Sequence, residues 1–244
     1  MKVFLASTGD RLALNEVYQS PYILESFAYF KEQQKKQLQT AKMFLLDSGA
    51  FTFMNSQKDG KANFDSYLER YIQFINENDI KYFFELDIDV IVGYEKVKEY
   101  RRILERKTGK RCIPVWHKSR GLEDYKATAK DYDYMAIGGI VTREIKKSDY
   151  DVFIPLLKIA KANGCKVHGL GFTNTELLHK YKFDSVDSTS WKSGARFATA
   201  YKFNGKTMQA VRYQDKRRID DYNVLDSHNL REWIKFQHFA ESYL

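Results

Sequence analysis

Apolar and polar positions along the chain fall into two alternating periods. Short apolar, β-branched or aromatic runs recur at Val3–Ala6, Met43–Asp47, Tyr82–Asp87, Ile113–His117, Tyr134–Gly138, Lys166–Gly171 and Phe183–Ser188. Each has the length and residue types of a strand. Between them lie amphipathic stretches with helical spacing: Asn63–Asn76, opened by an Asn suited to an N-cap; Tyr94–Arg106, with Val97, Tyr100 and Leu104 on one stripe; Leu122–Lys130; Tyr150–Asn163, stopped by Asn163-Gly164; and Thr175–His179. Strands separated by helices predict βαβ units and a parallel sheet. Seven such units predict an α/β fold, a (β/α)8 TIM-type barrel irregular at its eighth strand, forming a single domain over residues 1–244. The segment 199–213, around Asn204-Gly205, predicts a β-hairpin, and residues 229–241 a C-terminal helix that closes the barrel.

In such a barrel the chemistry sits where the strands end. "FLLDSGAFTF" ends its apolar run on Asp47-Ser48-Gly49, with Asp47 on the face of Met43 and Leu45. In "YFFELDID", Glu85, Asp87 and Asp89 alternate with Phe84, Leu86 and Ile88. Three acids on one face cannot sit unpaired beneath a helical layer, so they are expected at the barrel mouth or neutralised there. Later runs end in Trp116-His117, Gly138-Gly139 and His168-Gly169-Leu170-Gly171. The last carries Asp184 and Asp187 on opposite faces, so only one of them can look into a pocket. Taken singly, each has a plain structural explanation: a cap, a turn, a satisfied core histidine. Their coincidence at one end of successive strands is the functional signal. Phe51 and Phe53 are either packing residues or a wall for a flat ring.

The chain has 244 residues, 43% of them hydrophobic, and a formal net charge of +8. That composition supports a sizeable core and favours a polyanionic partner. The basic residues concentrate in Lys31–Lys42, Lys96–Arg111 and Lys192–Arg218. No apolar run is long enough to span a membrane, and the N-terminus lacks the apolar stretch of a secretory signal, which predicts a cytoplasmic protein. Cys112 and Cys165 form no CxxC and read as reduced thiols. No phosphate-binding glycine loop, HExxH or GxSxG occurs, and no spacing of acids specifies a metal, so neither cofactor nor metal is expected.

Four segments in one order resemble the tRNA-guanine transglycosylases. "LLDSGAF" resembles that family's DSGG(F/Y) strand end, and "FELD" the strand with its second base-reading aspartate. "YMAIGGIVTRE" is similar to its Y-A-I-G-G segment, and "HGLGFTNTELLHKYKFDSVDSTSWKSGAR" to its glycine strand, short helix and D-x-x-D strand. Together they run from Met43 to Arg196. The resemblance implies a (β/α)8 barrel that exchanges guanine in nucleic acid for a 7-deazaguanine base, such as 7-cyano-7-deazaguanine, through a covalent aspartyl-glycosyl intermediate. It implies Asp187 as nucleophile, Asp47 in base recognition and proton transfer, and Asp87, with Asp89 as rival, reading the guanine edge. Gly138 and Gly139 match the backbone donor to the purine carbonyl, and Trp116 or His117 stands where the family has a glutamine. Ser48, Phe51, His168 and Gly169 complete the expected substrate site, and Lys192, Arg196, Arg212, Lys216 and Arg217 the contacts to nucleic acid.

No cysteine follows Cys165, so the family's zinc site is missing, and the chain is short. Both departures resemble compact phage-type relatives that act on DNA, which favours DNA over tRNA and, for a phage gene, the host cytoplasm. The alternative is an inactive barrel that binds nucleic acid for a partner enzyme. Association as a homodimer or with a partner subunit stays open.

Overall fold

The computed structural model describes residues 1–49, 52, 63–192, 197, 199–212 and 222–244. Seven strands form one parallel sheet: β1 (Lys2–Ala6), β2 (Tyr22–Ser26), β3 (Met43–Asp47), β4 (Val115–Trp116), β5 (Tyr134–Ile137), β6 (Lys166–Gly169) and β7 (Ser185–Ser188). They lie in the order β3-β2-β1-β7-β6-β5-β4, every neighbouring pair parallel. The sheet curls, and its two edge strands reach the same extended segment: Leu46 bridges Phe83, and Phe84 bridges Ile113. The N–H of Phe84 donates to the Leu46 carbonyl (2.9 Å), and that of Ile113 to the Phe83 carbonyl (2.8 Å).

A parallel sheet needs cover on both faces, and period-2 alternation supplies two apolar sides. On the concave side Phe4, Tyr22, Leu24, Leu45, Phe84, Ile113, Val115 and Ala136 pack together. On the other side the sheet meets helices α1 (Lys35–Thr40), α2 (Phe64–Glu77), α3 (Asp89–Val92), α4 (Tyr94–Thr108), α5 (Gly121–Asp131), α6 (Phe153–Ala162) and α7 (Tyr222–Tyr243). Asn63 caps α2, its side chain accepting the Ser66 N–H at 2.9 Å. Gly109, at φ +67°, ends α4 in the left-handed conformation that glycine adopts without strain.

Three expectations need correction, while the hairpin expected at 199–213 is met. Tyr22–Ser26 is a full strand that the apolar pattern did not predict. The run Tyr82–Asp87 is bridged only at Phe83 and Phe84. Lys147–Val152 and Leu177–His179 are 3-10 turns rather than parts of α-helices. The hairpin forms, β8 (Thr199–Phe203) against β9 (Met208–Arg212), but as a separate antiparallel pair outside the main sheet. Helix α7 is longer than predicted. It packs on β1 and β8, and its buried Gln237 donates to the carbonyls of Val3 (2.7 Å) and Tyr22 (2.8 Å).

Candidate active site

Asp187 lies near the end of β7, level with Phe4 on the neighbouring strand and on the concave face that Phe4 lines. Asp47 ends β3, level with Ser26. Asp184 falls on the other face and accepts the Val167 N–H at 2.8 Å, so Asp187 is the acid of that pair that looks inward. Its Oδ1 accepts two hydrogen bonds, from the Gly171 N–H (2.6 Å) and from His168 Nε2 (3.1 Å). Among the described residues its Oδ2 has none. Asp47 carries a carboxyl raised to about 7, by burial first and then by the negative charges of Asp187 and Asp87. The N–H groups of Gly49 and Ser48 oppose that rise. Three acids from distant parts of the sequence therefore share one electrostatic neighbourhood.

Two tyrosines of α2 shape the loop that follows β3. Tyr71 donates to the carbonyls of Phe84 (2.9 Å) and Leu46 (3.2 Å), and Tyr67 to that of Ser48 (2.5 Å). Ser48 is buried.

The run of acids after Phe84 does not hold the regular alternation expected of it. Glu85 turns into the layer beneath α4, fully buried, where it accepts from Arg101 (2.6 Å) and from the Val115 N–H (2.8 Å). Asp87 stays at the strand ends, with both oxygens 2.9 Å from His117 Nε2. The other ring nitrogen of His117 lies 3.0 Å from Glu144. Burial alone would lower the imidazole, but the hydrogen bond and charge of Asp87, with Glu144 behind them, outweigh it and raise His117 to about 9. His117 is therefore a cation at neutral pH. Asp89 opens α3 and pairs with Arg120 (2.8 Å), whose guanidinium also lies 3.5 Å from Asp87 and 4.2 Å from the Tyr94 ring centre.

The two glycines that follow β5 make room for this cluster. A Cβ on Gly138 would lie 2.7 Å from the His117 ring, and one on Gly139 2.7 Å from Glu144. The Gly138 N–H donates to the Trp116 carbonyl at 2.9 Å. Asp87, Asp89 and His117 could offer metal ligands within 4.8 Å of one another.

The structure thus brings together Asp47, Asp187 and Asp87, with His168 behind Asp187 and His117 and Asp89 beside Asp87. Other expected residues are placed elsewhere. Trp116 points away from the concave face, its ring 5.1 Å from Tyr125 and its Nε1 donating to the Gly121 carbonyl. Gly169 serves close packing, since a Cβ there would lie 3.1 Å from the Phe183 ring. Lys192 pairs with Asp10. Phe51, Phe53, Arg196, Lys216, Arg217 and the side chain of Arg212 lie outside the described residues. Sequence reasoning missed Arg120, Glu144, Gly171, Ser185 and Tyr134. Ser185 was findable, because it shares the face of Asp187 from two residues earlier in the strand. Arg120 gave no signal, because it lies in a 3-10 turn after β4.

Among the described residues no helix is long and apolar enough to cross a membrane. No family model matches the chain, and no curated protein matches it.

Proposed function

We propose that this protein is a base-exchange glycosyltransferase that replaces guanine in nucleic acid with a 7-deazaguanine, with DNA favoured over tRNA. Its fold would be a (β/α)8 barrel in which the twice-bridged Phe83-Phe84 segment serves as a further stave between β3 and β4. The observation that carries the reaction is the pairing of Asp187, with one oxygen anchored and one unbonded among the described residues, and Asp47, a carboxyl raised to about 7. Exchange at C1′ passes through an oxocarbenium-like state and needs two carboxyls with different tasks.

In the first half, Asp187 Oδ2 bonds to C1′ as the C1′–N9 bond breaks, and the proton of Asp47 goes to the leaving guanine. In the second half, Asp47 takes the proton from the incoming 7-deazaguanine, whose nitrogen displaces Asp187 from C1′. An acid titrating near neutrality suits both directions of that transfer. Asp87, held by His117 and Arg120, would accept from the N1–H and 2-amino group of the base. The net charge of +8 favours the polyanionic substrate.

Labelled 7-deazaguanine incubated with guanine-containing DNA or tRNA should enter the nucleic acid and release guanine. One observation favours the second reading, a binding subunit without activity: both oxygens of Asp87 are already engaged by His117. A covalent protein–nucleic acid adduct on a denaturing gel separates the two.

A further inference from the structure

Behind Asp187 a line of polar side chains runs through the concave interior. Tyr134 Oη lies 2.5 Å from Ser185 Oγ, Ser185 Oγ 2.7 Å from His168 Nδ1, and His168 Nε2 3.1 Å from Asp187 Oδ1. The residues come from three adjacent strands, β5, β6 and β7, in register: Ala136 faces His168, and His168 faces Ser185. His168 is fully buried, its ring 5.4 Å from that of Phe84 and 5.9 Å from that of Phe4. A histidine wanted only for volume would not need both nitrogens bonded in such a place. Leaving either unpaired there would cost a desolvation penalty, which explains the pairing but not why it ends on Asp187.

With Asp187 ionised and His168 neutral, proton counting gives the chain one direction. An ionised carboxylate only accepts, so His168 must donate from Nε2. In a neutral ring Nδ1 then accepts, so the single proton of Ser185 points at it. Ser185 Oγ in turn accepts from the Tyr134 hydroxyl. Every donor points toward Asp187.

We infer that His168 is a positioning residue for the proposed nucleophile: the Tyr134–Ser185–His168 relay locks its imidazole as the Nε2–H tautomer, which holds Asp187 Oδ1 and turns Oδ2 to the substrate. The inference rests on the proposed base exchange for its kinetic effect, but the relay itself is a property of the folded protein. A glutamine at position 168 can donate to Asp187 and accept from Ser185, preserving the polarity. A leucine fills the space and does neither.

Two measurements test it. In protein labelled with 15N-histidine, long-range proton–nitrogen correlation at pH 7.5 should show His168 with Nε2 protonated and Nδ1 bare. Protonated Nδ1, alone or together with Nε2, overturns the relay. In exchange assays His168→Leu should lower kcat about 10²-fold with little change in KM, because the nucleophile is misaimed while the base still binds. His168→Gln should recover most of that loss, at a thermal midpoint no higher than that of His168→Leu. Equal loss in both variants, or full activity in His168→Leu, overturns the positioning role. If the wild-type protein exchanges no base at all, the proposed reaction fails, and the tautomer alone then decides the relay.

Discussion

Asp47 and Asp187 stand at the same end of one parallel sheet with β2 and β1 between their strands, and the charge of Asp187 acts on Asp47. After burial, the charge of Asp187 is the largest influence raising the Asp47 carboxyl to about 7. Two equivalent acids would be of little use in a base exchange. Here one is anchored by the His168 and Gly171 donors, and the other has its carboxyl raised to about 7.

That asymmetry has a stability signature. The folded protein keeps a proton on Asp47 that the unfolded chain releases near pH 4, so stability falls as pH rises from about 4 to about 7 and levels off above. Glu25, raised to about 7 chiefly by burial, adds to the same window. Asp47→Asn should therefore stabilise the protein at pH 8. At 1.36 kcal/mol per pH unit the ceiling is about 4 kcal/mol, and the partial exposure of Asp47 reduces it to about 2 kcal/mol. Urea unfolding at pH 5 and pH 8 measures this, and an unchanged difference between wild type and variant would refute it.

His117 works in the opposite sense. Its folded value, about 9, lies above the unfolded one, so its contribution is complete below about pH 6.5 and is lost as pH climbs through 9. The ring protons of His117 should titrate with a midpoint near 9 by NMR. His117→Asn should cost about 2 kcal/mol at pH 6 and little at pH 10. A midpoint near 6.5 would show that Asp87 and Glu144 do not grip the ring.

Gly138→Ala should disturb the same cluster without removing a charge. Its Cβ would meet the His117 ring at 2.7 Å and the Val115 side chain at 3.0 Å. The expected cost is about 1–3 kcal/mol in chemical denaturation, with the His117 midpoint moved down toward its ordinary value. Wild-type stability in the variant would mean that the ring moves aside freely.

Arg101→Met tests the buried Glu85 pair, which lies outside the reacting group. Removing Arg101 leaves the buried Glu85 carboxylate only the Val115 N–H and the more distant Arg120 guanidinium, at 3.6 Å, and should cost up to about 3 kcal/mol. The double variant Glu85→Gln, Arg101→Met should recover most of that loss, as equilibrium unfolding of all four proteins would show.

Much of this arrangement was legible in the residues. The period-2 face of Met43, Leu45 and Asp47, and the opposite faces of Asp184 and Asp187, are placed as the alternation requires. Two things were not legible, for the same reason: a buried charge hides its partner. β2 reads "YILES", and Glu25, its fourth residue, cuts the apolar run to three. The groups that satisfy it, the N–H of Thr8 (2.7 Å), the N–H of Gly9 (3.0 Å) and the Thr8 hydroxyl, come from the turn after β1. Glu85 likewise looked like a companion of Asp87 until Arg101 of α4 met it beneath the helices. Local pattern carries facing but not the long-range ion pair that decides whether a carboxylate belongs inside.

The most direct test is to mix the protein with guanine-containing DNA or tRNA, quench in denaturant, and look for nucleic acid bound covalently to the chain. The account predicts a shifted band whose cross-link maps to Asp187 by mass spectrometry, which Asp187→Asn abolishes together with labelled 7-deazaguanine uptake. Full uptake by Asp187→Asn, or an adduct mapping to another residue, would contradict it.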